Sequence, residues 1–322
     1  MKLAPFPQLI RELTAALIAD HRAQGEVSIQ PLKVSESATF LVDGLHGGRR
    51  VVRVYRHGRH STAAIRSELQ WIDALHRSHF PTPGIIRTRS GELFSSFVGS
   101  DGTRRSYAVF EFLRPDSLEV PLEEHFEAIG DAAGKLQQHA KGWDLPAGFD
   151  RLHYDYRETL DPRTDWGSWP NRPLPASAKK LLTTAQQTVL DCLPAFTPES
   201  VQLIHADLKP VNSIWHDGTL FTIDFDDCGF AWPLFDMAAS LTFYEADASL
   251  SGYVDSYLQG YTRHRTPSAE ELNLLPTFIM QRRLMIFGWL GAHPDHELDH
   301  DLDEMLAGSL EVAEKYLRGR LL

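Results

Sequence analysis

Residues 203–215 read Leu203-Ile204-His205-Ala206-Asp207-Leu208-Lys209-Pro210-Val211-Asn212-Ser213-Ile214-Trp215. The chain then turns at Asp217-Gly218 and resumes as Leu220-Phe221-Thr222-Ile223-Asp224-Phe225-Asp226-Asp227. Two short apolar runs joined by a turn signal predict a small hairpin. One run borders a His-x-Asp-x4-Asn loop and the other ends in an acidic triplet, so Asp207, Asn212 and Asp224 gather at one end of it.

Moving a phosphoryl group from ATP needs such a set. The group in transit carries three charged oxygens, so the protein must supply metal-holding oxygens, positioning and a carboxylate facing the acceptor hydroxyl.

Upstream, Leu9, Leu13, Leu17 and Ile18 recur at helical spacing. Val27–Val34, Ala38–Val42 and Arg50–Arg56 then read as strands, with Gly44, Gly47 and Gly48 marking the turn between the second and third. In the third strand Val51, Arg53 and Tyr55 share one face, opposite Val52, Val54 and Arg56. Ser61 offers a cap to a helix with an Ile65, Leu69, Ile72 and Leu75 stripe, and Glu68 lies at its edge. Glu92–Val98 and Arg104–Leu113 read as a hairpin. After Arg114-Pro115-Asp116 the chain turns helical: Phe126, Ile129, Ala133 and Leu136 form a buried face, and helices are expected at 178–192, 234–244 and 251–261. Leu145–Pro175 is expected to be irregular.

The chain has 322 residues, 43% hydrophobic and 23% charged, ordinary values for a globular protein of two domains. A formal charge of −11 argues against partnership with nucleic acid or an anionic membrane. No apolar run reaches the roughly 18–20 residues of a membrane span, and the first 20 residues lack the core of a secretory signal. Two cysteines, Cys192 and Cys228, are too few for a disulfide framework and are expected to be core residues. A reducing cytoplasm is the expected compartment. Oligomeric state is not legible.

His205-x-Asp207-x4-Asn212 followed by a strand ending at Asp224 resembles the protein-kinase-like fold. Through Ile223–Phe230 to Asp236-Met237-Ala238 it is more closely similar to the aminoglycoside phosphotransferase and choline kinase superfamily, the homoserine-kinase-like small-molecule kinases. The resemblance implies an α+β, two-lobed architecture. Residues 1–113 would form a nucleotide-binding lobe of antiparallel sheet plus helix, and 114–322 a mainly helical catalytic and substrate-binding lobe.

It further implies ATP and Mg2+ as cofactors and a small hydroxyl-bearing acceptor: an amino alcohol, amino acid or aminoglycoside. Asp207 would face the acceptor, His205 would brace the loop, and Asn212 and Asp224 would hold Mg2+, with Asp226 added because it shares a strand face with Asp224. Arg53 takes the place of the family's phosphate-gripping lysine, and Glu68 that of its helix partner. Val51 would touch adenine, Glu111 and Leu113 would form the hinge at its edge, Ser37 lies in the phosphate loop, and Lys209 would meet the γ-phosphate. Ala206 stands where the family usually has Gly, and no G-x-G-x-x-G is present. A stress-response type of Ser/Thr protein kinase (from Lys209) and a nucleotide-binding pseudokinase (from Arg53 and Ala206) are the alternatives.

Plainer readings compete at several positions. Arg53–Glu68 alone would read as a surface ion pair. Arg282 falls on the Ile279, Ile286 and Trp289 face of a helix and so requires an anionic partner. His293, His296 and His300 read as part of a solvated acidic tail in preference to a zinc site. Trp143, Trp166, Trp169 and Trp232 are candidates for a substrate pocket, and Glu245 and Asp247 for an acidic wall beside the acceptor.

Overall fold

A computed structural model describes residues 6–34, 37–117, 119–293 and 302–322. In chain order its elements are α1 (Phe6–Asp20), β1 (Ala23–Val34), β2 (Ala38–Leu45), β3 (Gly48–Val54), α2 (Thr62–Arg77), β4 (Ser95–Val98) and β5 (Arg104–Glu111). Next come α3 (Leu122–Gly142), β6 (Leu152–His153), α4 (Tyr156–Thr159), α5 (Ala176–Cys192), β7 (Gln202–Ile204), β8 (Ser213–His216), β9 (Thr219–Thr222) and β10 (Gly229–Ala231). Five helices close the chain: α6 (Phe235–Ser240), α7 (Leu250–Tyr261), α8 (Ala269–Asn273), α9 (Leu275–Ala292) and α10 (Leu302–Leu317). This mixed architecture, an antiparallel amino-terminal sheet followed by helices, is the α+β class that the residue patterns indicate.

The chain divides into two compact units, and no single cut in the sequence separates them. Residues 1–116, 144–151 and 216–223 make the first, and 117–143, 152–215 and 224–322 the second. Part of the Leu145–Pro175 stretch therefore packs on α2: Asp150 N–H donates to Ser67 Oγ at 2.9 Å, and Arg151 Nη1 to Ala64 O at 3.1 Å.

In the first unit the strands run antiparallel in the order β1-β2-β3-β5-β4. Leu9, Leu13 and Leu17 of α1 pack with Phe40, Val42, Val52, Val54, Tyr107 and Val109 on one face of the sheet. Each leucine is fully buried and contributes about 1.5–3 kcal/mol. Val52 and Val54 point into this core, which turns Val51, Arg53 and Tyr55 to the other face, as alternation requires. Arg53 lies opposite Thr39 on β2 and Ala108 on β5. Helix α2 starts where expected, with Ser61 Oγ accepting from Ala64 N–H at 3.0 Å.

In the second unit α3 and α7 approach closely because glycines face each other's backbones. A Cβ on Gly130 would sit 2.0 Å from Tyr257 O, and one on Gly260 would sit 1.9 Å from Glu127 O. A three-stranded sheet, β6-β10-β7, includes β7, which leads into the His205–Asn212 loop. Helix α9 is buried almost throughout, Arg282 and Arg283 included.

Three expectations need correction. The helix expected at 234–244 ends at Ser240; Phe243 has φ 75°, which a right-handed helix does not accommodate. Strand β9 ends at Thr222 and Phe225–Asp227 form a 3-10 turn, so alternation does not place Asp224 and Asp226 on one face: Asp224 is exposed and Asp226 buried. Cys228 is a core thiol, but Cys192, the last residue of α5, is exposed. His296 and His300 lie outside the described residues. Among the described residues no group of three metal-ligating side chains forms a closed metal site, and no helix is long and apolar enough to cross a membrane.

Candidate active site

The loop from His205 to Asn212 leaves β7 through a strained residue. Ala206 has φ 63°, a conformation that costs an L-residue roughly 1–2 kcal/mol. It is held there by Asp236, the buried acid of α6. Asp236 Oδ1 accepts the Ala206 N–H at 2.7 Å, while Oδ2 accepts the His205 N–H at 3.4 Å and Gln137 Nε2 at 3.4 Å. Gln137 is fixed in turn by Tyr261 OH at 2.5 Å. Burial raises the Asp236 carboxyl to about 6, against the lowering effect of the Ala206, Gln137 and His205 donors and the Arg282 charge. His205 is fully buried; its ring lies 4.6 Å from that of Phe225, and its Nδ1 accepts the Asp207 N–H at 3.3 Å.

Asp207 stands at the centre of this loop. Lys209 Nζ and Arg282 Nη2 both donate to its Oδ1, at 2.9 and 2.6 Å. Asn212 Nδ2 donates to Oδ2 at 2.6 Å and to the Asp207 backbone carbonyl at 2.9 Å. Burial alone would raise this carboxyl, but the charges of Lys209 and Arg282 outweigh it and hold it below its ordinary value. The side chain keeps 13% exposure. Lys209 also lies 5.8 Å above the Phe243 ring.

Asp224, like Ala206, has a left-handed backbone, φ 65°. Asn212, buried beside Asp207, uses its amide nitrogen there and has its Oδ1 as an acceptor. Carboxylate and amide oxygens without a closed cage suit a hard cation such as Mg2+, which binds few protein oxygens and shares the rest with phosphate and water.

In the first unit, Arg53 Nη1 donates to Glu68 Oε1 at 3.0 Å, and Tyr55 OH joins the same oxygen at 3.4 Å. Arg53 is 8% exposed and Glu68 0%, so the surface-pair reading fails. The Arg53 guanidinium also lies 5.0 Å over the Tyr55 ring. Val51 and Ser37 are half-buried. Glu111 donates its N–H to Gly84 O and accepts the Gly84 N–H on its carboxylate, both at 2.9 Å, and Leu113 lies past the end of β5.

Some candidates are placed elsewhere. Glu245 is no open acidic wall: it is 1% exposed, and its Oε2 accepts from Arg283 Nη1 at 3.1 Å. Burial raises its carboxyl, the Arg283 charge opposing. Trp169 is a core residue whose Nε1 donates to Gln186. Trp166 lies 5.6 Å beneath the Arg282 guanidinium, and Trp232 lines a cavity of about 370 Å3 with Tyr156, Leu193 and Phe196, apart from Asp207. Sequence reasoning missed the brace role of Asp236; an acid in the otherwise apolar stretch Phe235–Ser240 was its signal. It demanded an anion for Arg282 but did not identify Asp207.

A sequence model of the phosphotransferase enzyme family matches residues 28–270. The chain belongs to that family. As a member of the phosphotransferase enzyme family it is an ATP-dependent kinase that phosphorylates an alcohol group of a small molecule. The chain is similar to amicoumacin kinase of Bacillus subtilis (strain 168), 26% identical over 274 residues, which cover 80% of this chain and 79% of that protein. A microcompartment-associated aminopropanol kinase is 30% identical, with a TM-score of 0.85 over 96% of this chain and 98% of that one. The amicoumacin kinase hAmiN, solved in complex with AMP-PNP, Ca2+ and Ami, is 18% identical with a TM-score of 0.77, over 98% and 94% of the two chains, and shares the fold.

Proposed function

We propose that this phosphotransferase moves the γ-phosphoryl group of ATP, presented with Mg2+, to the hydroxyl of a short amino alcohol, with Asp207 facing that hydroxyl. The observation that carries the reading is the setting of Asp207. Its carboxylate is fixed by three side chains on two elements and kept ionised by two cations, and its side chain is not fully enclosed. Such a group orients a hydroxyl and accepts its proton as the phosphorus–oxygen bond forms. The amino alcohol follows from the similarity to the aminopropanol kinase; amino acids and aminoglycosides are the wider class.

Around that step, Asn212 and Asp224 would hold Mg2+, with the buried Asp226 a further candidate, and the metal would neutralise charge on the phosphate oxygens. Arg53, steadied by Glu68, would grip the ATP phosphates. The backbone of Glu111 and Leu113 would meet the adenine edge, with Val51 against its face and Ser37 in the phosphate loop. His205 would act only as a brace.

The test is ADP release with a panel of amino alcohols, amino acids and aminoglycosides. Turnover with at least one short amino alcohol, abolished in Asp207→Ala and by chelation of divalent metal, is expected. Undiminished turnover in Asp207→Ala would refute the role of Asp207. Turnover restricted to protein acceptors would refute the acceptor class.

A further inference from the structure

Helix α3 is tied to the His205–Asn212 loop near both of its ends. At the start of the loop the tie runs through Asp236: Gln137 Nε2 donates to Asp236 Oδ2 at 3.4 Å and to Pro233 O at 2.9 Å, and Asp236 holds the Ala206 N–H. The second tie lies about three turns back along α3, roughly 18 Å away. There His125 Nε2 meets the hydroxyl of Ser213, the residue after Asn212, at 2.8 Å. The His125 ring also stands edge-on to Trp215, with centroids 5.8 Å apart.

The direction of each bond follows from the chemistry of the hydroxyl. Ser213 Oγ has one proton, which it donates to Pro210 O at 2.8 Å. Toward His125 it can only accept, so the imidazole carries its proton on Nε2. Burial lowers the basicity of His125 and keeps the ring neutral at neutral pH, with that single N–H. Pro210 O also accepts the Ser213 backbone N–H, and Lys209 O accepts that of Asn212 at 2.8 Å. These bonds close the 3-10 turn Pro210–Asn212. The closed turn aims Asn212 Nδ2 at the Asp207 carboxylate and carbonyl, at 2.6 and 2.9 Å. Asn212 Oδ1 is the oxygen that the reading above gives to Mg2+.

We propose that His125 is a positioning residue for phosphoryl transfer: its Nε2–H fixes Ser213 Oγ, and Ser213 locks the turn that presents Asn212 to Asp207 and to the metal. The role is mechanical, and His125 neither gives nor takes a proton in the reaction. Without the imidazole donor the hydroxyl is free to rotate away from Pro210 O, and the turn loses one of the bonds that close it. Such a loss matters because Mg2+ demands near-ideal oxygen geometry, and a misplacement of about 1 Å can cost about 10²-fold in rate. The inference rests on the kinase reading above, with Asn212 as a metal-holding residue. It adds to that reading a side chain of α3, 88 positions before Ser213.

The experiment compares wild type with His125→Phe, which keeps a ring but has no N–H, with His125→Gln, whose amide restores a donor, and with Ser213→Ala. Two quantities are measured. One is kcat with the best acceptor of the panel; the other is Mn2+ affinity in the presence of AMP-PNP, followed by electron paramagnetic resonance without turnover. In His125→Phe and Ser213→Ala both should fall together, by about 10–100-fold, the usual loss when a group behind a metal ligand is removed. KM for the acceptor should stay within about threefold. His125→Gln should recover part of both quantities. The double variant should lose no more than either single change, because the two side chains act as one unit. Losses that multiply in the double variant overturn the proposal. So does a wild-type kcat in His125→Phe, a Mn2+ affinity that stays constant while kcat falls, or the absence of any recovery in His125→Gln. If His125→Phe does not fold, Ser213→Ala decides alone. Absence of transfer to any alcohol by wild type is instead failure of the kinase reading, and the Mn2+ titration then decides the inference.

Discussion

Asp236 Oδ1 accepts the N–H of Ala206 at 2.7 Å, and this bond holds a left-handed alanine one residue before Asp207. The His205–Asn212 loop is thus braced from α6, and the left-handed Ala206 is held by a buried acid.

Ala206→Gly should relieve that strain. The left-handed penalty of about 1–2 kcal/mol disappears, while glycine's greater freedom in the unfolded chain costs about 0.5–1 kcal/mol. A net gain of about 0.5–1 kcal/mol is expected, read as a higher Tm with activity retained. A lower Tm would show that the methyl group is itself packed to advantage.

Stability should depend on pH through Asp236. Its carboxyl titrates near 6 in the folded protein against an ordinary 3.8, so between those values the folded state holds a proton that the unfolded chain has lost. Stability contributed by the neutral acid is complete below about pH 4 and is lost as pH rises through 6, by up to roughly 3 kcal/mol. Asp207 acts in the opposite sense: its lowered carboxyl stabilises the fold above 3.8, and that contribution is lost as pH falls through the folded value. Urea unfolding of wild type and Asp236→Asn from pH 4 to 7 checks this. The variant should show a flatter profile, and parallel profiles would contradict the assignment.

Removing Glu68 should harm the protein more than removing the whole pair. Glu68→Ala takes the carboxylate from a guanidinium that is 8% exposed, at a cost of about 3–5 kcal/mol. The double change Arg53→Met with Glu68→Leu should be less destabilising than the sum of the single changes. Additive denaturation energies in that cycle would mean that the two side chains are not coupled. ATP KM should rise in every variant that lacks Arg53.

The contact of α3 with α7 should not admit a methyl group. In Gly260→Ala the new carbon would meet a backbone oxygen at 1.9 Å, and backbone cannot move aside as a flexible side chain can. A loss of about 3 kcal/mol or more is expected, seen as a depressed midpoint in thermal unfolding. An unchanged midpoint would show that the helices part easily.

Much of this was written in local pattern. Alternation in β3 placed Arg53 opposite the core valines, Ser61 announced α2, and the His-x-Asp-x4-Asn motif with the strand after it made His205, Asp207 and Asn212 candidates through the family resemblance. What pattern could not give were relationships set by tertiary packing. The surroundings of Arg53 and Glu68 depend on how α2 lies on the sheet. Helix α9 is buried on every side, so its apolar face carries no direction, and the partner of Arg282 lies 75 positions away. The reading of Asp226 failed because it extended a strand past Thr222, where the chain had already turned. Glu245 looked like a free acid only because Arg283 is remote in sequence.

Adjacent guanidiniums on α9 have different attachments: Arg282 reaches Asp207, whereas Arg283 reaches Glu245, Ser309 Oγ and the Met305 carbonyl of α10. One helix thus links α10 to Asp207. Truncation ahead of Leu302 would unmoor that helix at one end and loosen the grip on Asp207 at the other, so a deletion that removes no reactive group should still register as slower chemistry.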